Sequence, residues 1–394
     1  MNPLPLVAAE LRTSRARTAA VIALVAVAVG LGVAVSCQER ALRSGSARAA
    51  AAFDLIVGAR GSATQLVLST VYLQPALLDL IPGRVLEALT SDPGVERAAP
   101  LVFGDSYRGA PVVGSTADLV TRGGRVALAE GRAFASEREA IVGADVPLAV
   151  GARFAAAHGQ GRGATDHDGF EYAVVGRAGR LGSPWDRAIV VPVEALWRVH
   201  ARPREGGAIG PPWSGELPDV SAVVVTPRSI ADAYRLRARY RAEPTTAVFP
   251  AEVLVELYGF LGDARDGLAV VAGVAEGLVA VAVLLAASAA LAHRRRALGV
   301  LRALGASRLY VFAVAWLNVA ILLVTGAALG LVLGWVGAAL LSAAFEARTG
   351  VAVRAAISGR EIAMVAALAG IGAALALIPA WRCYREPIAP ALRS

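Results

Sequence analysis

The chain has 394 residues, 56% hydrophobic and 18% charged, with a mean hydropathy of +0.57. That balance is too apolar for an ordinary soluble protein, yet charged enough to demand a water-exposed part beside membrane spans. The net charge of +8 does not signal nucleic acid, because the arginines crowd beside apolar runs instead of forming a basic stripe with interleaved aromatics.

All 39 Lys and Arg residues are arginine. A P-loop needs a lysine on the nucleotide phosphates, so any ATP hydrolysis must come from another chain.

In chain order, residues 1–17 carry Arg12, Arg15 and Arg17 and are predicted to stay cytoplasmic. Residues 18–38 contain no charge and match the thickness of the hydrocarbon layer, which predicts the first span. The tetrad AVSC at 34–37 loosely resembles a lipoprotein cleavage site, but the apolar stretch before it is longer than the h-region of a signal peptide.

Residues 39–266 change character and predict an extracytoplasmic α/β domain. EYAVVG, RAIVVPV and VSAVVVTP read as strands from their β-branched content. Pro82–Thr90 and Ser229–Arg241 read as helices, the second opened by the Ser229 and Asp232 capping pair. The Gly- and Pro-rich stretch from Ala201 to Pro218 reads as a long surface loop. Pro250 suits the first turn of a helix leading toward the second span, with Gly259 and Gly262 as hinge positions.

Three of the four histidines, His158, His167 and His200, fall in this domain, together with Asp166 and Asp168. Imidazole and carboxylate are the ligand types of Zn²⁺ and similar borderline ions. The spacing matches no compact metal motif, so ordinary surface histidines are the competing reading.

The second span is predicted at 267–292. It contains Glu276, whose cost of about 2.5–3.5 kcal/mol at the centre is outweighed by leucines and valines worth roughly 0.3–0.6 kcal/mol each. Residues 293–308 carry five arginines and read as a cytoplasmic loop, which sets both termini inside and the large domain outside. Leu298, Leu301 and Leu304 recur on one helical face of that loop, with Gly305 to end the helix and Ser307 to cap the next.

A third span follows at 309–341, a short extracytoplasmic loop at 342–361, a fourth span at 362–381 and a cytoplasmic tail at 382–394. Gly326, Gly330 and Gly334 form a strip where another helix can approach closely. Asn318 and Glu276 are costly in lipid and are expected to face helices or water. Cys37 and Cys383 fall on opposite faces of the membrane in this topology, which excludes a disulfide between them. The fold class is therefore an α-helical membrane protein with four spans (1+3) and one large extracytoplasmic α/β domain.

The stretch RRRALGVLRALGAS at 294–307 resembles the cytoplasmic signature of FtsX-like, MacB-type permeases, and the ending IPAWRCYREPIAPALR is similar to that family's C-terminus. The resemblance implies a permease subunit of an ATP-binding-cassette complex in a bacterial inner membrane. It further implies a dimer with a second copy or paralogue, and ATP and Mg²⁺ held by a separate cytoplasmic ATPase whose closure is relayed to the outer domain by mechanotransmission. On that footing Arg294, Arg295, Arg296, Leu298, Leu301, Arg302, Leu304 and Gly305 are the ATPase-coupling residues. Ala297 stands where the family pattern has glutamate.

From the residues alone, the same arginines also serve as anchors to lipid headgroups. A periplasmic adaptor or lipoprotein is a further expected partner. No H-E-x-x-H, G-x-S-x-G or dinucleotide fingerprint supports an enzyme. A membrane-anchored sensor or scaffold shares every feature above and is the alternative reading.

Overall fold

The computed structural model describes residues 2–76, 78–159, 165–200, 209–213, 216–242, 244–259 and 300–378, with 267, 270, 273, 274, 277, 281, 380 and 381 besides; for 165–169 it describes the backbone alone. The chain divides into two compact units, one of residues 1–42, 261–343 and 354–394, the other of 43–260 and 344–353.

A short helix α1 (Leu4–Thr13) precedes the long α2 (Arg15–Ala50), most of which belongs to the first unit. Two further helices are α8 (Arg308–Thr349) and α9 (Gly359–Leu375). Helices α2 and α8 are long and apolar enough to cross a membrane by length and composition. Both run beyond the apolar stretches at 18–38 and 309–341, where strong helix formers such as Ala, Leu, Glu and Arg recur.

Their contact is set by small residues. A Cβ on Gly326, Gly330 or Gly334 would meet Val25, Val29 or Val33 of α2 at 2.7 to 2.8 Å. Backbones approach closely only where side chains are missing. At the start of α9, Ser358 and Glu361 form a capping box. The fully buried Glu361 carboxylate also accepts from Ser36 Oγ at 2.8 Å and from the Arg40 guanidinium, tying α9 to α2.

The second unit holds a sheet of β1 (Leu55–Ala59), β2 (Val95–Tyr107), β3 (Ala110–Ser115), β4 (Glu130–Gly131), β5 (Glu139–Val142), β6 (Arg153–His158), β7 (Thr165–Arg177), β8 (Ile189–Pro192), β9 (Ala222–Pro227) and β10 (Thr245–Val248). The strand order is β10-β1-β9-β2-β3-β8-β5-β7-β4, with β6 bridging β2 and β7. All pairs are antiparallel except β3 with β8 and β5 with β7.

The helices of this unit are α3 (Ala63–Thr70), α4 (Gly83–Thr90), α5 (Ala117–Thr121), α6 (Val193–His200) and α7 (Ile230–Tyr240). Residues 250–259 are also helical, with Pro250 in the first turn. Ser229 caps α7 by accepting from Asp232 N–H at 3.1 Å, while its own hydroxyl donates to the Asp232 carboxylate at 2.6 Å.

Strand β2 belongs to two cores. Its first half, Val95 to Leu101, pairs with β9. There Leu55, Val57, Val223 and Val225 pack with Leu86 and Leu89 of α4 and Leu236 of α7. Its second half pairs with β3 and β6, beside a core of Val112, Val142, Phe154, Tyr172, Ile189 and Leu196.

At the start of β2 the buried Asp92 accepts from Gly94 N–H at 2.9 Å, Arg235 at 2.7 Å and Arg239 at 3.0 Å. The Arg235 hydrogen bonds, against the opposing effect of burial, hold its carboxyl at about 2. This clamp fixes α7 to the turn between α4 and β2.

Candidate metal centre

Asp105 reaches its position through a break in strand register. Between Val102 and Asp105, β2 advances three residues while β3 advances two, from Gly114 to Val112. Such a bulge re-aims the side chains that follow it. Gly104 occupies the irregular segment at φ +147°, a conformation that favours glycine. The carboxylate of Asp105 ends up fully enclosed, with its side chain 0% exposed.

Two histidines converge on it from different elements. His158, the last residue of β6, lies directly opposite Asp105 in the antiparallel pair, with Nδ1 at 3.4 Å from Asp105 Oδ1. His200, the last residue of α6, brings Nε2 to 2.8 Å from the same oxygen. Helix α6 is seated by Leu196, which occupies the space above Gly114, where a Cβ would come within 2.8 Å of Leu196 Cδ1. The two imidazole rings are 4.9 Å apart, and the three donor atoms all lie within 4.8 Å of one another.

The electrostatics follow from this geometry. The hydrogen bond that His200 donates to the Asp105 carboxylate raises the pKa of His200 above its ordinary value, against partial desolvation. Burial, then the charge of Asp105, pushes the phenol of Tyr172 up. Segment 103–105 also lines a cavity of about 470 Å³ with Ser69, Leu73 and Gln74.

The structure thus brings His158 and His200 together, and the carboxylate it gives them is Asp105, which the sequence reading did not single out. Thr165 and Asp166 of β7 pair with His158 and Ala157 in register. The side chains of Asp166, His167 and Asp168 lie outside the described residues. Gly104 beside Asp105 is a local mark of a bulge, and it carries no hint of histidines far along the chain.

The other predicted residues fall in the helical unit. Arg294, Arg295, Arg296, Leu298 and Glu276 lie outside the described residues. Leu301 and Arg302 are half-buried, whereas Leu304 is 80% exposed. Gly305, at φ +100°, ends their helix: its N–H donates to Arg302 O, and Ala306 N–H donates to Leu301 O at 3.0 Å. That is the paired-bond stop in which glycine takes the left-handed position. Ser307 Oγ then accepts from Tyr310 N–H at 3.2 Å and caps α8. Asn318 donates to Glu10 Oε2 at 2.7 Å. Cys37 is a buried free thiol, and Cys383 lies outside the described residues.

The chain thus combines two helices long and apolar enough to cross a membrane with an α/β unit. Residues 269–388 match the family model described as FtsX-like permease C-terminal.

Among solved structures, the chain is similar to the periplasmic region of MacB from Actinobacillus actinomycetemcomitans, at 10% identity and a TM-score of 0.33 over 54% of this chain and 95% of that one. It is also similar to the extracellular domain of the noncanonic ABC-type transporter YknZ from Gram-positive bacteria, at 14% identity and a TM-score of 0.29 over 49% of this chain and 98% of that one. No curated protein matches.

Proposed function

We propose that the chain is the permease subunit of an ATP-binding-cassette transport complex, which relays the movement of a separate cytoplasmic ATPase to its outer α/β domain. The observation that carries this reading is the FtsX-like permease match over residues 269–388, which includes the arginine-rich loop. The absence of any lysine from the sequence supports it, because the nucleotide phosphates must then be held by a partner chain.

The turn that follows Leu301 is built for contact. Leu304 is 80% exposed and Leu309 is 68% exposed, on either side of the Gly305 stop and the Ser307 cap. Apolar side chains beside arginine give a partner both buried area and charge pairing. In the assembled complex a second permease copy or paralogue completes a dimer.

Replacing Leu301 and Arg302 together by Asp is expected to abolish copurification of the ATPase while the chain still inserts into the membrane. Undiminished copurification overturns the coupling role of this loop.

A further inference from the structure

The outer domain contains a cluster that the permease reading neither requires nor explains: Asp105 Oδ1, His158 Nδ1 and His200 Nε2, drawn from β2, β6 and α6. We propose that these three side chains form a binding site for one borderline divalent cation of the Zn²⁺ class.

The chemistry of the donors selects the ion. Two imidazole nitrogens and one carboxylate oxygen are the mixed N/O set that Zn²⁺ accepts, whereas Ca²⁺ and Mg²⁺ require oxygen ligands. The carboxylate supplies one negative charge and two neutral imidazoles add none, so a divalent ion meets net opposite charge.

Two of the three donor distances are close to those of a loaded site, and all three lie within 4.8 Å. Ligand bonds of about 2.0–2.2 Å in a tetrahedral arrangement place donor atoms roughly 3.3–3.6 Å apart. Asp105 Oδ1 and His158 Nδ1 are already 3.4 Å apart, and Asp105 Oδ1 and His200 Nε2 at 2.8 Å need only a small opening. The adjustment falls on the exposed side of the cluster: the His158 side chain is 60% exposed and that of His200 is 28% exposed, against 0% for Asp105.

The same asymmetry determines the type of site. Structural zinc sites use four protein ligands and are closed, while three protein ligands leave a coordination position open. Here the anchoring carboxylate is buried and fixed by the bulge, and the two imidazoles close over it from the solvent side. Among the described residues three side chains supply donors, which leaves a position for water or a further ligand.

The test uses the full chain in lipid nanodiscs after chelator treatment, with Zn²⁺ alone as the probe in a competition titration. One Zn²⁺ per chain is expected for the wild type, weakened at least tenfold by His200→Ala and by His158→Ala. Because His158 is exposed, His158→Ala separates loss of a ligand from loss of fold: its metal-free unfolding midpoint stays at the wild-type value while its affinity drops. Co²⁺ loading is expected to give the visible absorption of a low-symmetry N/O site, which disappears in the double variant His158→Ala/His200→Ala. No Zn²⁺ uptake by the wild type, or an affinity within threefold of wild type in that double variant, overturns the site.

Discussion

The α/β unit buries two carboxylates near the two ends of one strand and satisfies them in opposite ways. Asp92 is held by Arg235, Arg239 and a backbone N–H, all of which donate at every physiological pH. Asp105 faces two imidazoles, whose charge and occupancy can change. Enclosing a carboxylate is costly in both places, and the choice of partner decides what the cost secures. Arginines make a permanent clamp between α7 and the turn before β2. The histidines make the site proposed above for a metal ion.

The sharpest way to break this contrast is to remove the permanent clamp. Asp92→Asn loses the charge-assisted bonds from both arginines, and the domain is expected to lose about 2 kcal/mol, because the half-exposed guanidinium groups regain water. Thermal unfolding of the full chain in nanodiscs measures this, and an unshifted midpoint would show that the clamp contributes nothing.

Acid probes the same clamp more gently. The carboxyl of Asp92 titrates at about 2 in the fold, below its ordinary value of 3.8. The unfolded chain therefore binds the proton first. The stabilisation is complete above about pH 4 and is lost as pH falls toward 2, an effect of about 1 kcal/mol after allowance for the exposed arginines. Asp92→Asn is expected to flatten that part of the pH profile.

The smallest effect belongs to the other carboxylate's partner. His158→Ala without metal is expected to change stability by less than about 0.5 kcal/mol, as for a surface substitution. A loss near that of Asp92→Asn would mean that the imidazole is a structural partner and would erase the distinction.

The sequence made the local features legible and left the long-range ones hidden. Runs such as AVVV at 222–225 read as a buried strand because β-branched residues on both faces suit one, and Ser229 with Asp232 marked the start of α7. The glycine strip on α8 stood out by its spacing alone, although the valines of α2 that it meets did not. Ser62 carried a cap signal for α3 that the β-branched content around it obscured.

Asp105 was out of reach for a different reason. It is separated from its imidazoles by 53 and 95 positions, and it meets them through a bulge, an antiparallel pairing and the end of a helix. Asp166 and Asp168 were singled out by their closeness to His167 in the chain, and their side chains lie outside the described residues. Pairing across a sheet erases that ordering.

The double membership of β2 has one more consequence. Val95 to Leu101 closes one core and Asp105 to Tyr107 borders the other, within a single run of backbone. Neither half of the domain can come apart without stripping partners from a strand that the other half is using, which would leave a bare sheet edge at its centre. The domain therefore opens as one cooperative body, and the segment that presents Asp105 to its histidines is among the last to let go of its hydrogen bonds.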